Sequence, residues 1–217
     1  LTTLSSDLTK NVKEVDIGNC PSLTPTTFPN CDTLHYRPSL NQIRVCAPIA
    51  QKLILSLNRV SDPNNLIKTS DICPNASSVN VVGGGCIVGK SVRKLSVSFV
   101  EKVMFESPES IETLHVQYPD SATFSFDLIY QMKNLKQFHM YQSCYSLPAM
   151  LDTLQLMQHL SNIPDCEIRI FTNTTKLLFT KDSDKQFFVL STPSTVWKAT
   201  QLNSKFFNHV QRLFNIA

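Results

Sequence analysis

Three of the five histidines occupy the same place in a short recurring pattern. His35, His115 and His139 each stand between two apolar or aromatic residues, in the segments LHY, LHV and FHM. Imidazole exchanges protons near neutral pH and is a common metal ligand. A zinc site would need three or four ligands, however, and the neighbouring segments carry Ser96 and Arg169 at this position. The pattern therefore predicts a polar recognition surface rather than a metal site or an acid–base pair.

A glycine-rich stretch fits the phosphate-loop pattern of glycine, four residues and Gly-Lys-Ser. It is GGCIVGKS, Gly84–Ser91, in which Lys90 would reach the outer phosphates and Ser91 would hold magnesium. A helix must start directly after such a loop. The following VRKLSVSFV, Val92–Val100, instead has apolar residues at every second position, which is typical of a strand. A nucleotide-binding protein using Gly84–Ser91 stays as the alternative interpretation.

Other features of the composition point away from catalysis. The chain has no G-x-S-x-G and no H-E-x-x-H motif, so we expect no enzyme, no catalytic residue, no cofactor and no metal. A net charge of +3 is too small to indicate nucleic acid, and no apolar stretch reaches the roughly 20 residues of a membrane span. Hydrophobic residues make up 42% of the chain and charged residues 17%, which is an ordinary globular composition.

The number and spacing of the cysteines indicate the cellular compartment. There are seven, an odd number, and no two form a C-x-x-C motif. Scattered thiols of this kind are typical of a reducing compartment, so we expect a cytoplasmic or nuclear protein. The sequons at Asn75 and Asn173 leave a secreted receptor fragment as a further alternative. Because the chain begins at Leu1 and not at Met, we expect a fragment or a processed product.

The strand pattern apolar-x-x-apolar-x-apolar recurs eight times along the chain. It begins at residues 12, 31, 50, 76, 92, 111, 135 and 165, and the seven steps cover 153 residues, about 22 each. Leucine-rich repeats have periods of roughly 20–29 residues and Asn or Cys at the ninth position, where this chain has Cys20, Asn58 and Asn173. From residue 12 to 173 the chain therefore resembles the leucine-rich-repeat superfamily, and in particular the irregular cytosolic repeats of F-box substrate receptors.

The resemblance implies an α/β fold, a leucine-rich-repeat-like solenoid with a curved parallel sheet and an irregular or helical convex side. We assign residues 1–175 to the solenoid and 176–217 to a C-terminal cap in the same domain. The cap is a hairpin of LLFT and FFVL followed by an amphipathic helix around Phe206–Phe214. Convex helices are predicted over Ser146–Asn162 and Phe126–Lys133, and Gly83–Gly85 is predicted to turn tightly with positive φ.

The same resemblance implies a non-enzymatic protein–protein interaction module. It would be the substrate-recognition or scaffold part of a larger assembly, such as a ubiquitin-ligase receptor. The expected partner is another protein on the concave face, and not a membrane, a nucleic acid or a small molecule. His115 and His139 should lie side by side, about 5 Å apart. The partner-binding residues are predicted to be Arg93, Lys94, Glu112, His115, Gln117, Lys136, His139 and Tyr141.

Overall fold

The computed structural model describes residues 9–18, 20–38, 44–58, 66–117, 126–142, 155–156, 159–160, 163, 165–172, 177–181, 188–191 and 196–199, and residues 205, 208 and 212. Most of the regular structure in these residues is strand, and eleven of the strands form one large sheet. Each of the eight recurring segments contributes one strand to this sheet. These eight are β1 (Glu14–Gly18), β3 (Thr33–Arg37), β5 (Lys52–Ser56), β7 (Ser78–Val82), β9 (Lys94–Ser98), β11 (Thr113–Gln117), β12 (Gln137–Gln142) and β13 (Glu167–Thr172).

The eight strands run parallel and lie side by side in chain order, which confirms the predicted parallel sheet. Their register follows the sequence pattern without a slip, so that His115 pairs with His139 and Leu114 with Phe138. Backbone hydrogen bonds also connect successive segments just before each strand. There the Glu112 N–H donates to Arg93 O at 2.8 Å, and the Lys136 N–H donates to Glu112 O at 2.8 Å. The chain is therefore a solenoid-like stack of coils.

Side chains alternate across the large sheet, as they must along any strand. The second and fourth residues of all eight strands are buried in one core, which includes Leu53, Leu95, Leu114 and Phe138. The first, third and fifth residues are exposed or half-buried in every case. We call the side formed by these residues the open face. The period-two pattern therefore predicted correctly which residues of these eight strands face the core, whereas Phe99, the last apolar residue of the alternation in Val92–Val100, follows β9 and is 60% exposed.

Short strands lie across the core from the large sheet. They are β2 (Thr26–Thr27) paired with β4 (Val45–Cys46), and β8 (Gly85–Val88) between β6 (Ile67–Lys68) and β10 (Lys102–Phe105). A four-residue helix, α1 (Thr69–Ile72), follows β6. Ile67, Cys86 and Val103 from the three-stranded sheet are buried in the same core as the large sheet. This second sheet was not predicted, because strands of two to four residues are too short to show a periodicity.

The predicted helices are found in part. The segment Phe126–Lys133 contains a 3₁₀ helix over Phe126–Gln131. A second 3₁₀ helix, which was not predicted, lies earlier in the chain at Pro108–Ser110. Of the helix predicted over Ser146–Asn162, only residues 155–156 and 159–160 are described, and they are helical, with Leu156 and Leu160 buried. The rest of that segment, including Cys144 just before it, lies outside the described residues.

The C-terminal hairpin is confirmed. It consists of β14 (Leu177–Lys181) and β15 (Phe188–Ser191), which pair antiparallel. β14 also pairs antiparallel with β13, so the hairpin continues the large sheet, and Phe179 is fully buried against the core. A third strand, β16 (Val196–Ala199), pairs with β15 and was not predicted. Of the final predicted helix only residues 205, 208 and 212 are described, and they are helical.

The thiols are mostly buried. Six cysteines are described, and all six are free. Burial raises the pKa of both Cys73 and Cys86 to about 12, so these two thiols are protonated at neutral pH. Within the part of the chain that the structure describes, no helix has the length and apolarity needed to cross a membrane.

Candidate functional site

The central histidines of two neighbouring strands stack on the open face. The rings of His115 on β11 and His139 on β12 lie 4.7 Å apart between centroids, with an angle of 4° between their planes. This confirms the predicted neighbourhood of the two residues. Burial lowers the pKa of His115, and the adjacent His139 lowers it further. His115 is therefore neutral at neutral pH, and its Nε2 is buried without a hydrogen-bond partner among the described residues.

A carboxylate that the sequence analysis missed holds one ring of this stack. His139 Nε2 lies 3.2 Å from Glu167 Oε1. Gln137 Nε2 donates to Glu167 Oε2 at 3.1 Å, and Arg169 Nε lies 2.7 Å from Glu167 Oε1. Desolvation by itself would raise the pKa of Glu167, but the hydrogen bonds from His139 and Gln137 and the charge of Arg169 outweigh it and lower the pKa. Glu167 is thus an anion with three partners, which fixes the orientation of His139.

The missed contact has a simple geometric origin. At the third position, which aligns with the histidines, β13 has Arg169 and no carboxylate. Glu167 stands two residues earlier, at the first position of β13, and reaches His139 diagonally. Diagonal neighbours on one face of a sheet are within reach of long side chains. The same diagonal recurs at the other end of the sheet, where His35 Nε2 lies 3.3 Å from Glu14 Oε1.

The remaining predicted strand residues lie around the stack. Tyr141 stacks on Phe171 with ring centroids 4.8 Å apart. Gln117, at the end of β11, accepts a hydrogen bond from Ser98 Oγ at 3.2 Å. Lys94 is exposed at the start of β9. Five of the eight predicted partner-binding residues therefore share the open face on three adjacent strands.

The other three predicted residues lie at the edge where the strands begin. Arg93 Nη1 donates to Ser110 O at 3.2 Å, and Lys136 Nζ lies 2.7 Å from Glu112 Oε2. The hydrogen bond and the charge of Lys136 lower the pKa of Glu112. The three residues line an open pocket of about 790 Å³ together with loop residues of both charges, among them Lys90, Glu109, Lys133 and Asp165. The structure thus divides the predicted set between the open face and this edge.

The polar side chains of the open face engage one another. Within the described ranges, no three or more His, Cys, Asp or Glu side chains come together in a way that could hold a metal ion. Glu167 is already engaged by His139, Gln137 and Arg169, so its charge is neutralised locally. What results is a set of planar and polar groups held in fixed orientations.

The glycine-rich stretch serves the turn between two strands. Gly83 and Gly84 have φ of +72° and +53°, as predicted, whereas Gly85 is the first residue of β8 and has no positive φ. Gly89 N–H donates to Thr69 Oγ1 at 2.9 Å, and Lys90 N–H donates to Glu106 Oε2 at 3.3 Å. Two of the backbone donors that a phosphate loop would direct at its anion are therefore engaged, one of them by a carboxylate. The strand β9, and not a helix, follows.

We therefore expect no binding of ATP or GTP in the presence of magnesium. Isothermal titration calorimetry should give no heat above dilution for the wild-type chain, and Lys90→Ala should behave identically. The physical reason is that Glu106 occupies the place of the anion at the Lys90 N–H. Micromolar binding that disappears in Lys90→Ala would contradict this interpretation of Gly84–Ser91.

Comparisons with known proteins give no relative. No family model matches the chain, and neither a curated protein nor a solved structure matches it.

Proposed function

We propose that the chain is a non-enzymatic protein-binding module of the leucine-rich-repeat type, which binds its partner on the open face. The observation that carries the proposal is the set of side chains held in register across β9, β11, β12 and β13. His115 stacks on His139, Glu167 fixes His139, and Tyr141 stacks on Phe171. Groups that are already ordered lose little conformational entropy when a partner binds.

Two further observations support a repeat protein of this kind. The eight strands follow the recurring sequence pattern in order and without a change of register. The open face also extends over several coils, and solenoid proteins commonly use such extended surfaces for binding. We propose the substrate-recognition or scaffold part of a larger assembly, such as a ubiquitin-ligase receptor, as its setting. Free, buried cysteines favour the cytoplasm or the nucleus.

Paired charge variants test this proposal. The open-face variant Lys94→Glu/Gln117→Glu changes two exposed residues, one on β9 and one on β11. Its matched control, Lys68→Glu/Met104→Glu, changes two exposed residues of the three-stranded sheet across the core. Each chain is immobilised and exposed to an extract of its source cells, and the bound proteins are quantified by mass spectrometry. We expect at least one protein whose recovery falls about tenfold or more with the open-face variant alone, since a binding hot spot is worth about 2 kcal/mol or more.

The thermal melting curves of both variants should match that of the wild type, because exposed substitutions usually change stability by less than about 0.5 kcal/mol. Equal recovery of every bound protein by the wild type and the open-face variant would show that the binding surface lies elsewhere. Recovery that falls only with the three-stranded-sheet variant would move the site across the core.

A further inference from the structure

Phe99 combines a strained backbone with an exposed aromatic ring. It follows β9 with a φ of +54° and is 60% exposed. Since Val82 pairs with Ser98, Phe99 is the counterpart of Gly83, which has a φ of +72° one coil earlier. This left-handed region is disfavoured for every residue that has a Cβ, and glycine is the usual occupant. Neither burial nor backbone preference explains phenylalanine here, and such outliers concentrate at ligand-binding sites.

Phe99 directly follows Ser98, which is the second member of an uncharged row. The row consists of the fifth residues of five neighbouring strands, β7, β9, β11, β12 and β13, and we call it the fifth-position row. None of its members is charged, and with strands spaced about 4.8 Å apart it extends over roughly 19 Å. Val82, which pairs with Ser98 just before Phe99, is 37% exposed. The row comprises Val82, Ser98, Gln117, Tyr141 and Phe171.

Positive charge lies where β9 and β5 begin; β9 belongs to the row, and β5 is the next strand beyond β7. Lys52 and Lys94 are exposed first residues of β5 and β9, and the strand between them begins with Ser78. Neither lysine forms an ion pair with another described residue, whereas Lys136 at the edge is paired with Glu112. The first and fifth residues of a strand are about 13 Å apart. This distance is close to the diameter of an α-helix with its side chains, about 10–12 Å.

We infer that the open face receives an acidic amphipathic helix of the partner protein, lying across the strands. Its apolar side contacts the fifth-position row, with Phe99 as the anchor. Its carboxylates face Lys52 and Lys94, which supply the complementary charge. This inference rests on the proposed function and adds the chemical class of the partner segment and one specificity-determining residue.

Two displayed peptide libraries test the inference on the full chain. Each encodes helices of about 14 residues, some 21 Å long, with varied apolar residues on one side. The other side is glutamate in the first library and lysine in the second. We expect clones to be enriched from the glutamate library. Peptides made from these clones should lose at least tenfold in affinity, measured by fluorescence anisotropy, for Phe99→Asn and for Lys94→Glu.

Matched variants separate this effect from a loss of folding. Phe99→Tyr keeps the ring and should bind with wild-type affinity, and Lys68→Glu should do the same. Phe99→Asn should melt at or above the wild-type temperature, because asparagine tolerates the left-handed region better than phenylalanine. Enrichment from the lysine library, no enrichment from either library, or undiminished binding by Phe99→Asn would each overturn the inference. A protein whose recovery falls with Lys94→Glu/Gln117→Glu but not with Phe99→Asn would overturn this inference and leave the proposed function in place.

Discussion

The Leu114→Ala variant is expected to lose about 2–5 kcal/mol of the free energy of unfolding, the usual cost of truncating a buried leucine. Leu114 is only 1% exposed and lies between Leu95 on β9 and Phe138 on β12. Both neighbours are buried in the same core, so the alanine leaves a cavity that rigid strands cannot close. Urea denaturation followed by far-ultraviolet circular dichroism measures the loss.

Gln117→Ala is the matched control for this variant. Gln117 lies on the same strand but is exposed on the open face, and its substitution should cost less than about 0.5 kcal/mol. A larger loss for Gln117→Ala than for Leu114→Ala would mean that the strand is displaced by one residue. Such a slip would move every side chain of β11 to the other face.

The Gly84→Ala variant is expected to lose about 2–4 kcal/mol, because it combines a left-handed backbone with overpacking. Gly84 has a φ of +53°, and a Cβ atom there would lie 2.5 Å from Asn58 O and 2.6 Å from Leu57 Cβ. A backbone carbonyl cannot turn aside as a flexible side chain can. The turn must therefore open, or the preceding coil must shift. Urea denaturation measures this loss as well.

Gly18→Ala provides the comparison for Gly84→Ala. A Cβ at Gly18 would meet only the Arg37 side chain, with the closest atom, Nε, at 3.3 Å, and that side chain can move. We expect its stability to change by less than about 1 kcal/mol. If Gly84→Ala were as stable as the wild type and instead abolished the binding of ATP, the stretch would be a phosphate loop after all.

Some features of the open face could be predicted from the sequence and others could not. That His115 and His139 are neighbours was predictable, because both stand at the same position of consecutive segments; the stacking of their rings was not predicted. The role of Glu167 was not, because a diagonal contact depends on side-chain reach and on the competing partner Arg169. Phe99 was likewise missed. Its left-handed φ becomes meaningful only once the register places it opposite Gly83.

The sequence by itself determined the positions of the eight strands and their buried residues, while their parallel order was an expectation from the resemblance. Alternation along a strand is a local property, and a pattern that recurs in each coil sets the same register between all neighbours. The tertiary structure decided the remainder. It separated Arg93, Glu112 and Lys136 from the open face, and it formed a second sheet from strands as short as Ile67–Lys68. These features arise from contacts between coils distant in sequence, where loop paths and side-chain lengths decide which groups meet.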